Sequence, residues 1–505
     1  MPPQIPFIIG SEGAERFSFY GMRNVLTTFL ITALLLDVPE ADRAIAAKDV
    51  MHTFMMGVYF FPLLGGWVAD RFIGKFNTIF WLSLVYCVGH LCLAVFEGHR
   101  PGFYVGLGLI AFGSGGIKPC VSSFVGDQFT AKNKHLAKIV FDAFYWIINF
   151  GSFFASLLIP FLLKTVGPSW AFGVPGVFMF IATVVLYAGR SRYVMVPPRR
   201  AAAGHDSSFG SIVAAAVFAK GGEVGAVVAA LGVVVAVVVV VVGHGLGVVP
   251  VFCLVLVVLL FFFGVATRMN LKHLRGRFAD EDLDGVAGVL RVLVLFALVT
   301  PFFSLFDQKT STWVIQASAM TKPTWFEPAQ MQALNPALVM LFIPLNNLVL
   351  FPLFSAAGVV VTPLKKMTAG IAIAGLSWIV VGAMQLELDR GNALSIVWQV
   401  LPYAILTLGE VLVSATGLEF AYSQAPLSMK GVLMSFWNLV VTVGNLWVLL
   451  VNAAVKNDDV ENAIKDAGYG VTATQMFFFA GFAFVAAVAF GAVASTFTTR
   501  EHYRR

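Results

Sequence analysis

Charged residues are scarce in this chain. Only 12% of its 505 residues are Asp, Glu, Lys or Arg, against 59% in the hydrophobic set, and the mean hydropathy is +0.85. A soluble chain carries about 25% charged residues, so this one cannot cover a water-exposed surface, and an integral membrane protein is expected. Cysteine is sparse too. Cys87, Cys92, Cys120 and Cys253 lie in or at the ends of apolar runs, without the paired spacing of a disulfide framework or a zinc site. No G-x-x-x-x-G-K-[ST] loop occurs, since Ile73, Gly74, Lys75 and Phe76 offer neither the spacing nor the hydroxyl, so no nucleotide engine is expected. No HExxH or paired-aspartate motif is present, and Ser114, between Gly113 and Gly115, has no base at a matched position, which argues against an intramembrane enzyme. Nothing in the chain asks for a metal or cofactor.

What is present is a succession of about fourteen apolar runs, each near the roughly 20 residues that cross a bilayer. They lie at about 14–37, 46–69, 76–96, 102–125, 138–163, 168–189, 224–243, 247–267, 287–318, 330–355, 367–386, 395–420, 430–453 and 473–497. The first carries Glu12, Glu15, Arg16 and Arg23, which no cleavable signal tolerates, so it is expected to remain in the mature protein. The net charge of +6 points to topology and not to nucleic acid. With the N-terminus inside, inner loops hold roughly twenty Lys and Arg, including Arg71, Lys75, Lys132, Lys134, Lys138, Arg199, Arg200, Arg268, Lys272, Arg275, Lys365, Lys366 and Arg505. Outer loops hold about eight, such as Arg43, Arg100 and Lys322. Both termini are therefore expected in the cytoplasm.

A linker at 190–210, with Pro197, Pro198 and paired arginines, follows six runs. Two Val-rich runs come next, with no acid inside either and Glu223 just outside the first, and they read as lipid-facing filler. Without them the chain divides six plus six, the plan of transporters whose halves are parallel repeats with a site between them at the midplane. The expected units are an N-terminal bundle at 1–200, a linker with the extra pair at 201–280, and a C-terminal bundle at 281–505. GGWVADRFIGK at 65–75 has a degraded counterpart at 358–366. The first resembles the loop signature of the major facilitator superfamily, which implies an all-α fold of 6+6 transmembrane helices plus a two-helix insertion. The glycines Gly106, Gly108, Gly113, Gly115 and Gly116 sit inside an apolar run and read as close-packing positions.

A charge at a helix centre costs about 2.5–3.5 kcal/mol on insertion scales, so buried charges mark function. At 100° per residue, Glu12, Glu15, Arg16, Phe19, Tyr20 and Arg23 fall on one face of the first helix. That face must line a polar cavity. Arg23 and Asp307 belong to opposite halves, so a pair between them can exist only when the outer side is closed. This makes them a candidate gate, with Lys309 a competitor for Asp307.

The motifs resemble one family in particular. EGAERFSFY at 12–20 is similar to the ExxERFxYY signature of the proton-dependent oligopeptide transporter family, departing at Phe19 where tyrosine is usual. GGIKPC at 115–120, FYWIINFGS at 144–152, FDQ at 306–308, Gly409 with Glu410, and TGLEFAYSQAP at 416–426 resemble its further motifs in order. The extra pair resembles a bacterial trait, and the short loop at 387–392 leaves no room for the extracellular domain of the animal members. The resemblance implies a bacterial di- and tripeptide/proton symporter of the cytoplasmic membrane, functional as a monomer, with peptides, protons and membrane lipid as partners and no nucleic acid.

The resemblance carries the peptide carboxylate onto Arg16 and Lys118, with hydroxyls from Tyr20 and Tyr59. It carries the amino end onto Glu410, with Asn149 and Asn335 as amide partners, and the side-chain walls onto Trp437 and Phe303. The residue types suit these tasks: a guanidinium offers parallel donors to a carboxylate, and an ammonium needs an anion with acceptors beside it. For proton coupling it implies Glu12, Glu15, Arg16, Lys118 and the second-helix His52. One proton falling through about 100 mV gains about 2.3 kcal/mol, and a pH unit adds about 1.4, together several hundredfold of accumulation. A same-fold proton-coupled carrier of another small metabolite, nitrate or a peptide-like drug, is the alternative.

Overall fold

The computed structural model describes residues 2–129, 137–198, 208–219, 221–358, 360–424 and 429–498, with the backbone alone at 70, 71, 137–139, 141, 142, 354, 422 and 430. Lys132, Lys134, Arg199, Arg200, Ala425, Pro426 and Arg505, and the side chains of Asp70, Arg71 and Lys138, therefore lie outside the described residues.

Every regular element of the described residues is a helix. The N-terminal half contains α1 (Ile5–Phe29), α2 (Glu40–Phe60), α3 (Pro62–Val68), α4 (Lys75–Val95), α5 (Arg100–Asp127), α6 (Ala137–Thr165) and α7 (Pro168–Ala188). A short α8 (Phe209–Val217) leads into the hairpin of α9 (Glu223–Val242) and α10 (Val248–Asn270). The C-terminal half runs through α11 (Asp280–Asp307), α12 (Thr312–Ala319), α13 (Leu334–Leu345), α14 (Phe351–Ala356), α15 (Pro363–Asp389) and α16 (Val400–Glu410). It ends with α17 (Thr416–Gln424), α18 (Lys430–Val455), α19 (Asp458–Asp466) and α20 (Val471–Thr496). Proline in the first turn opens α1, α3, α5, α7 and α15, where its missing N–H costs no hydrogen bond.

Among the described residues, twelve helical stretches are long and apolar enough to cross a membrane by length and composition. α1 and α2 fall outside that set because of their charges, yet both pack inside the bundle, α1 against α6 and α7 and α2 against α5 and α18. With them the fourteen expected crossings are accounted for. Boundaries differ from the apolar runs wherever polar turns begin or break a helix. α1 starts at Ile5 and not near 14, because its first turns carry the charged stripe. The run at 287–318 is broken after Asp307 by a 3-10 turn at Gln308–Thr310. The run at 395–420 is divided by a π-helical turn at Val411–Ala415, directly after Glu410. α8 and α19 were not signalled by apolar length, being 9 residues each.

The apolar core is double. One buried cluster draws on positions from Ile5 to Tyr193, the other on positions from Ile212 to Phe490. Glycine sets how closely helices approach in each. A Cβ on Gly65 would lie 2.3 Å from the Cα of Gly116, and one on Gly409 would lie 2.8 Å from the carbonyl oxygen of Gly370. Both crossings flank a charged residue of interest, Lys118 and Glu410, so the packing of α5 and α16 fixes where those side chains emerge. The close-packing reading holds for Gly106, Gly113, Gly115 and Gly116, but Gly108 faces open space.

Overpacking of this kind costs about 1–3 kcal/mol where backbone cannot yield. G65V is expected to lower the apparent Tm of the detergent-solubilised protein by several degrees, and G108A to leave it unchanged. Equal melting curves for the two variants would contradict the crossing.

Candidate functional site

The acids and bases of α1 meet each other. Arg16 Nε lies 3.0 Å from Glu12 Oε1 and against Glu15 Oε2, all three side chains being buried. Neither contact has hydrogen-bond geometry, and both Glu15 oxygens are left without a hydrogen-bond partner. One guanidinium thus balances two carboxylates through charge alone. The second cation, Lys118, is held differently. Its Nζ sits 4.4 Å from the ring centre of Phe19 and 4.2 Å from that of Tyr59. No ion pair to Lys118 occurs among the described residues. Cation–π contacts stabilise a desolvated ammonium by about 2 kcal/mol, without supplying the anion it lacks. Arg23 lies 4.8 Å from the Tyr20 ring centre and 5.9 Å from that of Phe19. The departure at Phe19 therefore leaves a ring that serves three cations, Arg16 included.

In the other half, Glu410 Oε2 accepts from Asn335 Nδ2 at 2.5 Å, and the Asn335 oxygen accepts from Lys309 Nζ at 2.9 Å. The structure thus joins Asn335 to Glu410, and Lys309 turns to this pair, with its ammonium also 3.1 Å from the Phe306 ring centre. Asn149 is not joined to Glu410; its amide donates to the carbonyl of Tyr145 at 3.0 Å. Trp437 and Phe303 pack edge to face with ring centres 5.9 Å apart. Each lies over a glycine: Cβ atoms on Gly417 and Gly444 would meet them at 2.0 and 2.7 Å. Among the described residues no group of three or more His, Cys, Asp and Glu could hold a metal ion.

A polar network joins the halves through His52, at the end of the bundle that the loop charges are expected to place outside. His52 Nδ1 meets Asn445 Oδ1 at 2.6 Å, Asn445 Nδ2 donates to Asp307 Oδ2 at 2.6 Å, and His52 Nε2 meets Ser311 Oγ at 2.9 Å. Arg23 and Asp307 are both buried, yet no direct pair between them occurs among the described residues; Asp307 is engaged by Asn445 in its place. Around this centre, Thr27 Oγ donates to the Thr310 carbonyl, Gln332 to the Asn24 carbonyl and Gln330 to the Leu157 carbonyl. At the rim, Asp49 accepts from Asn452 and Lys456, Lys48 donates to Gln475, and Lys164 pairs with Glu327. Thr442 Oγ1 donates to the Met56 carbonyl at 3.4 Å on the same face of contact between the halves. This is the end that the loop charges are expected to place outside.

Asn445, Ser311 and Lys48 were missed in the sequence. The available signal was polarity inside apolar helices, faint for a single amide such as Asn445 between Gly444 and Leu446.

Residues 76–467 match the model of the POT family. The chain belongs to the POT family. It is 32% identical to "Solute carrier family 15 member 2" of Oryctolagus cuniculus over 77% of this chain and 50% of that protein. It is 34% identical to "Peptide transporter family 1" of Caenorhabditis elegans over 76% of this chain and 45% of that protein. The chain thus spans about half the length of the curated relatives it matches. Among solved structures it is similar to the POT family transporter PepTSo, crystallised in meso, with 59% identity, a TM-score of 0.96 and full coverage of both chains. A structure described as an auto inhibited POT family peptide transporter matches at 59% identity and a TM-score of 0.95, covering 100% of this chain and 99% of that one. The all-helical, multi-pass major facilitator architecture is thereby shown, and the chain is no enzyme.

The outer seal gives a ranked prediction. N445A strands the buried groups of His52 and Asp307, an expected loss of about 1–3 kcal/mol. K456A removes a half-exposed ion pair worth about 0–1 kcal/mol. Thermal unfolding in detergent should therefore fall clearly for N445A and barely for K456A; the reverse order would contradict the arrangement.

Proposed function

We propose that this POT family member is a proton-coupled symporter of di- and tripeptides working by alternating access. The observation that carries the reading is the split of unbalanced charge between the halves. Arg16 and Lys118 belong to one half, and Glu410, which accepts from Asn335, belongs to the other. A zwitterionic peptide of variable side chains offers a carboxylate and an ammonium as its constant features, and a promiscuous site grips those. In this reading the carboxylate settles between Arg16 and Lys118, the cation that has no anion, with Tyr20 and Tyr59 as donors. The ammonium takes Glu410, with Asn149 and Asn335, and Trp437 and Phe303 wall the side-chain space.

Peptide arrival is then the coupling event. A substrate carboxylate competes with Glu12 and Glu15 for Arg16, and a carboxylate released from its cation in a low-dielectric site takes up a proton. His52, at the seam of the outer seal, is the second proton carrier. Asn445 Oδ1 can only accept, so Nδ1 holds its proton in the neutral ring, and charging adds the second proton at Nε2, where Ser311 must turn from donor to acceptor. The units 1–200, 201–280 and 281–505 serve as moving half, insertion and moving half, in a bacterial inner membrane with both termini inside and one chain as the working unit. Nitrate has no use for an ammonium-binding acid, so Glu410 favours the peptide over it; a peptide-like drug would use the same grips.

Labelled dialanine uptake into proteoliposomes, with and without an inward proton gradient, is the test: gradient-stimulated uptake is expected, and its absence rejects the reading. K118A is expected to abolish gradient-driven accumulation. E410Q is expected to weaken competition by free dipeptides about tenfold or more while leaving N-acetylated dipeptides no worse than before. Unchanged ranking of the two would remove Glu410 from the amino-end site.

A further inference from the structure

The Val-rich hairpin is more than lipid-facing filler in this structure. Its cytoplasmic end is fastened to the C-terminal half. In α8, Ile212 and Ala216 are fully buried in the C-terminal core, and the Phe209 ring meets Phe436 of α18 edge to face at 5.7 Å. Asn270, at the end of α10, is buried and donates to the carbonyls of Ala216 and Gly222 at 2.8 and 3.0 Å. Gly222 and Gly225 pack so tightly on it that Cβ atoms there would come within 2.6 and 2.3 Å. The α8–α9 turn is thereby locked to α10.

The other end of α10 reaches across. Phe252 meets Phe60 of α2, in the N-terminal half, with ring centres 5.4 Å apart at 87°. Next to it, Cys253 is buried in one small apolar cluster with Met56 of α2 and Leu446 and Leu449 of α18. Met56 and Phe60 lie one and two helical turns inward of His52, and Leu446 follows Asn445, so this cluster backs the outer seal on its lipid side. α9 takes no part in it and turns valines such as Val227 and Val241, each 67% exposed, outward.

We propose that the hairpin is a lateral clasp: a strut fixed to the C-terminal half at one end and seated over the α2–α18 seam at the other, where it favours the outward-closed state. The inference rests on the alternating-access reading only in that the halves must move. When rigid halves rock, a contact that spans them has to slide or part. The Phe60–Phe252 and Met56–Cys253 contacts would part, and their apolar surface would be given to lipid, so the clasp acts through packing and not through a large hydrophobic gain.

The test uses the full-length protein in proteoliposomes. S311C, behind the seal, is labelled from outside with a membrane-impermeant maleimide, with Phe252 native or replaced (F252A), in the absence of peptide and proton gradient. F252A is expected to raise the labelling rate about threefold or more; an unchanged or lower rate overturns the clasp. Should F252A fail to fold, M56C provides the second measurement. Mild oxidation is expected to join it to the native Cys253, seen as a disulfide-linked peptide by mass spectrometry and absent in M56C/C253S. The joined form should lose dialanine exchange about tenfold, recovered by reductant. No cross-link, or a cross-link with full exchange, also overturns it. Absence of exchange in the native protein would fault the peptide reading alone, since labelling and cross-linking need no peptide.

Discussion

One charge imbalance organises the molecule. Arg16 is shared by Glu12 and Glu15, while Lys118 is lodged between the rings of Phe19 and Tyr59 with no ion pair among the described residues. The four groups sum to zero formally but are not paired one to one. In water this would matter little; in a lipid-thick, low-dielectric interior each unmatched group costs several kcal/mol. The arrangement persists because the surrounding helices hold it. Gly65 and Gly116 bring α3 and α5 into backbone contact beside Lys118. In the proposed function an incoming carboxylate is the missing counter-charge, and whichever native acid it displaces becomes the proton site.

The opposite half repeats the logic with reversed sign. Glu410 is held by Asn335, and Lys309 reaches the pair through the same amide. The π-helical turn that follows Glu410 breaks the regular ladder where its neighbour Gly409 crosses Gly370, and such turns cluster at functional sites. The outer seal then ties these halves through uncharged amides and hydroxyls more than through ion pairs. Asn445 touches both His52 and Asp307, so the proposed proton carrier and the proposed gate acid share one side chain.

Much of this was legible in the sequence because the rule is severe. A charge in an apolar run has few tolerable reasons to be there, so the α1 stripe could be named directly, and the family motifs supplied Lys118, Glu410 and the expected roles. The helix count followed from apolar length. What escaped was of two kinds. Helix ends were misjudged wherever polar turns extend or interrupt a helix, as at Ile5 and at Gln308–Thr310. Neutral polar residues were overlooked, because Asn445 or Ser311 costs too little in an apolar run to stand out, although in three dimensions they complete the seal. The expected direct contact of Arg23 with Asp307 shows the same limit: sequence placed both charges at the outer side, but it could not show that an amide from α18 would come between.

The central claim is that a peptide's carboxylate takes a cation away from a native acid. It is tested most directly by counting protons on binding. Dialanine is added to the purified protein in weakly buffered detergent, and the pH change is recorded alongside the heat of binding. The account predicts net proton uptake that saturates with the peptide. Binding that saturates with no proton taken up, or with protons released, would contradict it.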